Sequence, residues 1–115
     1  MMSNAGLVDV EYDNIVREMA SQHRNIEPYL LIKSAMLRKK YPSEIGHQHF
    51  WLELFYREGV DPTEKTNKVF TEVGRLPSYH GHGHFLLDIQ ADLETLLMIA
   101  SDSDIERISG EVYPL

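Results

Sequence analysis

Cysteine is absent from the 115 residues. That excludes a disulfide framework, a zinc ribbon and any thiolate chemistry. No apolar run approaches the ~18 to 20 residues that a membrane-spanning helix needs, and the first residues lack the basic-then-apolar pattern of a signal peptide. A cytoplasmic protein with no membrane contact is the resulting expectation. Also missing are Gly-x-Gly-x-x-Gly, Gly-x-x-x-x-Gly-Lys and Gly-x-Ser-x-Gly, so no phosphate cradle or nucleophile elbow is written into the chain. The reading therefore leans away from an enzyme.

What is present suits one folded domain. Hydrophobic residues make up 43% of the chain and charged residues 25%, ordinary values for a chain that buries a core and too apolar for intrinsic disorder. Residues 1–7 are small or polar and read as a disordered lead or a cloning remnant, leaving 8–115 as a single globular helical domain. The net charge of −7 is unevenly spread. Residues 1–27 hold five acids against two bases and residues 76–115 hold seven against one, whereas 28–75 hold six against eight. Two acidic ends favour a basic protein partner and disfavour direct nucleic-acid binding.

Periodicity predicts a mainly α fold: a small bundle of five or six short helices around a central helix over 43–58. Val8, Tyr12, Ile15, Val16 and Met19 recur at helical spacing, predicting a first helix over about 8–22. A second restarts at Pro28 and ends in Arg38-Lys39-Lys40, three cations suited to the negative end of a helix dipole. The central stretch carries Phe50, Trp51, Leu52, Leu54, Phe55 and Tyr56, a run apolar around most of a helix's circumference. Ser43 is its expected N-cap and Gly59 its end. Asp61-Pro62-Thr63-Glu64 has the form of a capping box, opening a helix that Gly74 closes. Leu93, Leu96, Leu97 and Ala100 predict a helix over about 88–100, and Ser103 to Glu106 a short one ending near Gly110. The alternative is α+β, with short strands near 85–89 and 111–115 paired with each other. The expected core comprises Ile15, Met19, Leu30, Met36, Leu37, Phe50, Trp51, Leu54, Phe55, Val69, Phe70, Val73, Leu93, Leu96 and Leu97.

Five of the six histidines fall in two groups. On a helix His47 and His49 would point about 200° apart, so they are not joint ligands; His49, Glu53 and Arg57 would form a polar line with an ion pair between the last two. In an extended segment, His80, His82 and His84 alternate onto one side, and the intervening glycines let the backbone bend. With Asp88, and with Asp92 in the same line, they make a candidate site for zinc, nickel or iron. The spacing matches no specific metal motif.

His49 to Pro62, a histidine- and aromatic-rich run closed by Gly-Val-Asp-Pro, resembles helices of the haem-oxygenase-like di-iron proteins. It covers 14 of 115 residues, lacks that family's repeated ligands on several long helices, and implies no function here. Two readings of function follow from the residues. The first is a small acidic interaction module, of the immunity, antitoxin or inhibitor kind, meeting a basic protein through Asp88, Asp92, Asp102 and Asp104. The second is a metal-binding protein or small metalloenzyme that uses the His80 to His84 loop.

Overall fold

A computed structural model describes residues 14–40 and 48–114. The expectations placed on 1–13, on Tyr41 to His47 (the Ser43 cap among them) and on Leu115 lie outside them. The fold is α+β. Helix α1 occupies 14–22 and is followed by α2 (Pro28–Lys40), β1 (Gln48–Tyr56), α3 (Pro62–Val73), β2 (Ser78–Tyr79), β3 (His84–Ala91), α4 (Leu93–Ala100) and β4 (Ile105–Pro114). The strands form one antiparallel sheet in the order β2-β3-β1-β4. From β1 onward the connectivity is β-α-β-β-α-β, that of the ferredoxin-like split βαβ motif.

The expected helical bundle is thus overturned at its centre, where residues 48–56 form a strand paired on both sides. Phe50, Leu52, Leu54 and Tyr56 are buried, and His49, Trp51, Glu53 and Phe55 point the other way. That is the period of two that a strand imposes. Trp51 and Phe55 on the outer side hide the alternation, because an aromatic residue on an open face is indistinguishable by composition from one in a core. The likeness of His49 to Pro62 to di-iron helices falls with it.

Two other expected helices change in the same way. Residues 88–91 belong to β3, whose Phe85, Leu87 and Ile89 are buried, and α4 starts only after Asp92. Residues 105–114 form β4 instead of a helix near 103–110. Strands do occur at 85–89 and 112–114, but they do not pair with each other, since β1 lies between them.

Capping chemistry fixes the elements that were read as expected. Asp61 Oδ1 accepts from the Thr63 amide at 3.0 Å, and Gly74 closes α3 in the left-handed conformation with φ 73°. α2 runs from Pro28 to Lys40 with its three cations in the last turn.

All four helices contribute to one core against one face of the sheet: Val16 from α1, Leu30, Leu31 and Ala35 from α2, Val69 from α3, and Leu93, Leu96, Ile99 and Ala100 from α4. Ile15, Met36, Trp51 and Phe70, expected inside, are exposed. Two polar contacts tie the helices to the sheet. Ser34 Oγ donates to Gln48 Oε1 at 2.5 Å and Gln48 Nε2 donates to the Ser34 carbonyl at 2.9 Å, joining α2 to the start of β1. Asn25 donates to the Ala100 and Ile105 carbonyls and accepts from the Ile108 amide, holding the α1–α2 connection against β4.

Candidate functional site

The side of the sheet opposite the helices is uncovered among the described residues, and its register arranges it in rungs. Across β3, β1 and β4 these are Gln90–His49–Tyr113, Asp88–Trp51–Glu111, Leu86–Glu53–Ser109 and His84–Phe55–Arg107. Side chains directly opposite on antiparallel strands lie close enough to interact. Trp51 is 47% exposed and Tyr113 49%. An exposed tryptophan in the middle of a central strand is the kind of large apolar surface that a folded chain seldom leaves uncovered without a use.

Each rung is organised by contacts of its own. Phe55 is held between the His84 ring, stacked at 4.6 Å and 6°, and the Arg107 guanidinium, 4.2 Å from its centroid. Glu53 accepts from Ser109 Oγ at 3.2 Å, and its other oxygen lies 3.4 Å from His84 Nε2. That second contact is electrostatic and lacks hydrogen-bond geometry, so His84 Nε2 has no hydrogen-bond partner. His49 Nε2 meets Asp88 Oδ1, and its ring stands edge-on to Tyr113 at 6.4 Å. Lys33 of α2 bonds Glu111 at 3.2 Å and sits 5.1 Å from the Tyr113 ring centroid. Partial burial opposes the Lys33 charge, but the hydrogen bonds to Glu111 and Tyr29 outweigh it and hold its pKa above the usual value.

Of the four acids expected to meet a partner, only Asp88 lies on this face. Asp92 caps α4, accepting from the Thr95 amide at 2.8 Å and the Thr95 hydroxyl at 2.6 Å, and the hydroxyl bond leads in lowering its pKa. Asp102 is buried against Lys65, with Nζ–Oδ2 3.0 Å, and Lys68 lies 3.2 Å from the same oxygen. Asp104 receives Lys65 at 2.7 Å and Arg57 at 2.6 Å. Arg57 therefore pairs with Asp104 and not with Glu53, the partner that helical spacing suggested. Tyr56 lies beneath this cluster, 5.6 Å from Lys65 Nζ; burial first, and then Asp102, Glu72 and Asp104, push its hydroxyl pKa up.

The four expected metal ligands are not gathered around one point. Gly81 to Gly83 make the turn between β2 and β3. His80 and His84 face each other across it, the His80 amide donating to the His84 carbonyl at 2.8 Å with their rings 5.8 Å apart. His82 sits at the exposed tip with φ 53°, and Asp88 is engaged by His49. Among the described residues no group of three or more His, Asp or Glu side chains is placed to hold an ion. A cavity of about 350 Å³ lies at the β3 margin, lined by His49, Val73, Gly74, Arg75, Asp88, Ile89 and Gln90.

The residues missed by sequence reasoning are Glu111, Tyr113 and Arg107, which reach the open face only through the β4–β1 register. Lys65 was missed as well, although it sits one helical turn before Val69, on the buried side of α3. No described helix is long and apolar enough to cross a membrane. No family model, no curated protein and no solved structure matches the chain.

Proposed function

We propose that this chain is a protein-interaction module that holds a basic partner on the open face of its sheet. The observation that carries the reading is the rung Asp88–Trp51–Glu111, in which an exposed indole has a carboxylate directly opposite it on each neighbouring strand. An aromatic face attracts a cation through its quadrupole, and flanking carboxylates add charge-assisted hydrogen bonds. Tryptophan is also among the residues that contribute most when an interface closes over them. The chain's net charge of −7 favours encounter with a basic protein. Asp92, Asp102 and Asp104 lie away from this face, so the reading rests on Asp88 together with Glu111, whose carboxylates a basic partner would share with His49 and Lys33.

Trp51 is the only tryptophan, so its fluorescence reports directly on the site. Titration with short synthetic arginine-rich peptides should give a saturable change that weakens with added salt. A matched acidic peptide should give none. Asp88→Lys combined with Glu111→Lys should remove the response while leaving the folded spectrum intact. If both peptides act alike, or the double variant responds as the native chain does, the proposal is withdrawn.

A further inference from the structure

Trp51, Phe55 and Tyr113 bring the tryptophan, phenylalanine and tyrosine rings to the open face, and two of the three are already occupied. Phe55 carries the Arg107 guanidinium 4.2 Å from its centroid and the His84 ring at 4.6 Å, both brought in from neighbouring strands. Tyr113 has Lys33 Nζ at 5.1 Å and the His49 ring edge-on. Among the described residues no ring and no cation lies against Trp51. The acids beside it are half used. His49 Nε2 meets Asp88 Oδ1, and Lys33 Nζ donates to Glu111 Oε2 at 3.2 Å. Asp88 Oδ2 and Glu111 Oε1 have no hydrogen-bond partner among the described residues. The rung therefore presents an uncovered ring with one open acceptor on each side, and Lys33 already offsets part of its negative charge.

We infer that the partner residue received here is an arginine, its guanidinium lying flat on Trp51 and donating to Asp88 on one side and to Glu111 on the other. This deepens the proposal of a basic partner and rests on it. Residues directly opposite on antiparallel strands have Cβ atoms about 4.5–5.5 Å apart, so the two acids bracket the indole within side-chain reach. A guanidinium is planar and directs its N–H donors outward in that plane, so it can stack on a ring and hydrogen-bond to both sides at once. A lysine ammonium is a compact, strongly hydrated point charge with no flat face. Its attraction to this rung depends on the charge that Lys33 offsets. The same stacking occurs within the molecule two rungs away, where β4 supplies Arg107 to Phe55. At Trp51 the corresponding β4 residue is Glu111, so the guanidinium comes from another molecule.

Three synthetic peptides of equal length and equal charge test the assignment: an arginine-rich peptide, its lysine counterpart, and the arginine peptide with every guanidinium asymmetrically dimethylated. Dimethylation keeps the charge and removes N–H donors from one edge of the fork. Each peptide is titrated into the full chain with Trp51 fluorescence as the readout. The arginine peptide should bind roughly tenfold more tightly than either of the others, the effect of one charge-assisted hydrogen bond. In Asp88→Ala combined with Glu111→Ala, all three should bind weakly and alike, within about twofold, with far-UV circular dichroism unchanged. Equal affinities of the three peptides for the native chain overturn the arginine assignment and leave the basic partner standing. A preference that survives in the double variant overturns it as well, because the two carboxylates then play no part in it. No saturable response to any of the three removes both proposals.

Discussion

Lys65 Nζ lies 3.0 Å from Asp102 Oδ2 with the two side chains only 6% and 8% exposed, so one ion pair joins α3 to the turn before β4 almost out of reach of water. Removing one member leaves the other charged and buried, which costs far more than the pair itself is worth. Asp102→Asn should lower the unfolding free energy by roughly 3 kcal/mol in urea titrations. Replacing both members, Lys65→Met with Asp102→Leu, should recover most of the loss. A double variant as unstable as the single one would show that the two charges are not coupled.

The same cluster sets a pH window. For Asp102, burial alone would raise the pKa, but the Asp104 amide, Lys65 and Lys68 together bring it below the usual carboxylate value. Lys65 and then Arg57 do the same for Asp104. A carboxylate with a depressed folded pKa contributes stability that is complete above its unfolded value of about 3.9 and is lost as pH falls through the folded one. For Lys65, burial works against the charge, yet Asp104 and Asp102 hold the pKa above its ordinary value. That contribution is complete below the unfolded pKa of about 10.4 and fades as pH rises through the folded one. The melting temperature of the native chain should therefore fall as pH drops from about 4 toward 2, and that of the doubly replaced variant should fall by less. Equal falls in the two contradict this assignment.

Trp51 and Leu52 are neighbours on β1 that face opposite ways, one 47% exposed and the other fully buried. Trp51→Ala should change stability by no more than about 1 kcal/mol while removing the response to arginine-rich peptides. Leu52→Ala should cost about 2 to 5 kcal/mol through the cavity it leaves. Denaturant midpoints of the two variants decide the matter, and equal losses would place Trp51 in a core after all.

Gly110 lies opposite Leu52 of β1 at φ 138°, and a Cβ there would come within 2.0 Å of the Trp51 carbonyl oxygen. Gly110→Ala must push the strands apart and should cost more than about 2 kcal/mol. Gly74→Ala meets only its own φ of 73°, with no atom within 4 Å, and should cost about 1 kcal/mol. Chemical denaturation of the two variants compares a close approach with a conformational preference alone.

The parts of this fold that could be read from residues are those fixed by local chemistry. Asp61 and Gly74 bound α3 because a side-chain oxygen and a left-handed glycine act within a few residues of themselves, and Pro28 starts α2 for the same reason. The sheet was hidden because its signal is spread across the chain. Phe50, Leu52 and Leu54 alternate with His49, Trp51 and Glu53, but two of the outward residues on β1 are aromatic, and the pattern passes for a helix buried all round. At helical spacing Ile89 runs on into Leu93 and Leu96, yet it lies within β3, which ends at Ala91, and Asp92 turns the chain into α4.

The candidate site was legible only in part, as a place where acids matter. Asp88 was singled out and does lie on the open face, while Glu111 reaches it through a pairing that no spacing along the chain encodes. The histidines attracted attention by their density. His84 stacks on Phe55, and the glycines around His82 serve a turn.

The position of β1 in the middle of the sheet also governs the order in which the molecule can assemble. Its first possible strand partner, β3, begins at residue 84 and its second, β4, at residue 105. While the chain is being made, the strand destined for the centre waits with both edges bare until those segments have emerged. Pairings between distant segments are slow to form because the intervening chain must be closed first. The β1–β3 hairpin-like pairing closes the shorter loop and should form ahead of β4, so a nascent chain stalled before residue 105 would display Phe50, Leu52 and Leu54 beside an unfilled edge. That interval is when the molecule is most exposed to wrong pairing with its neighbours.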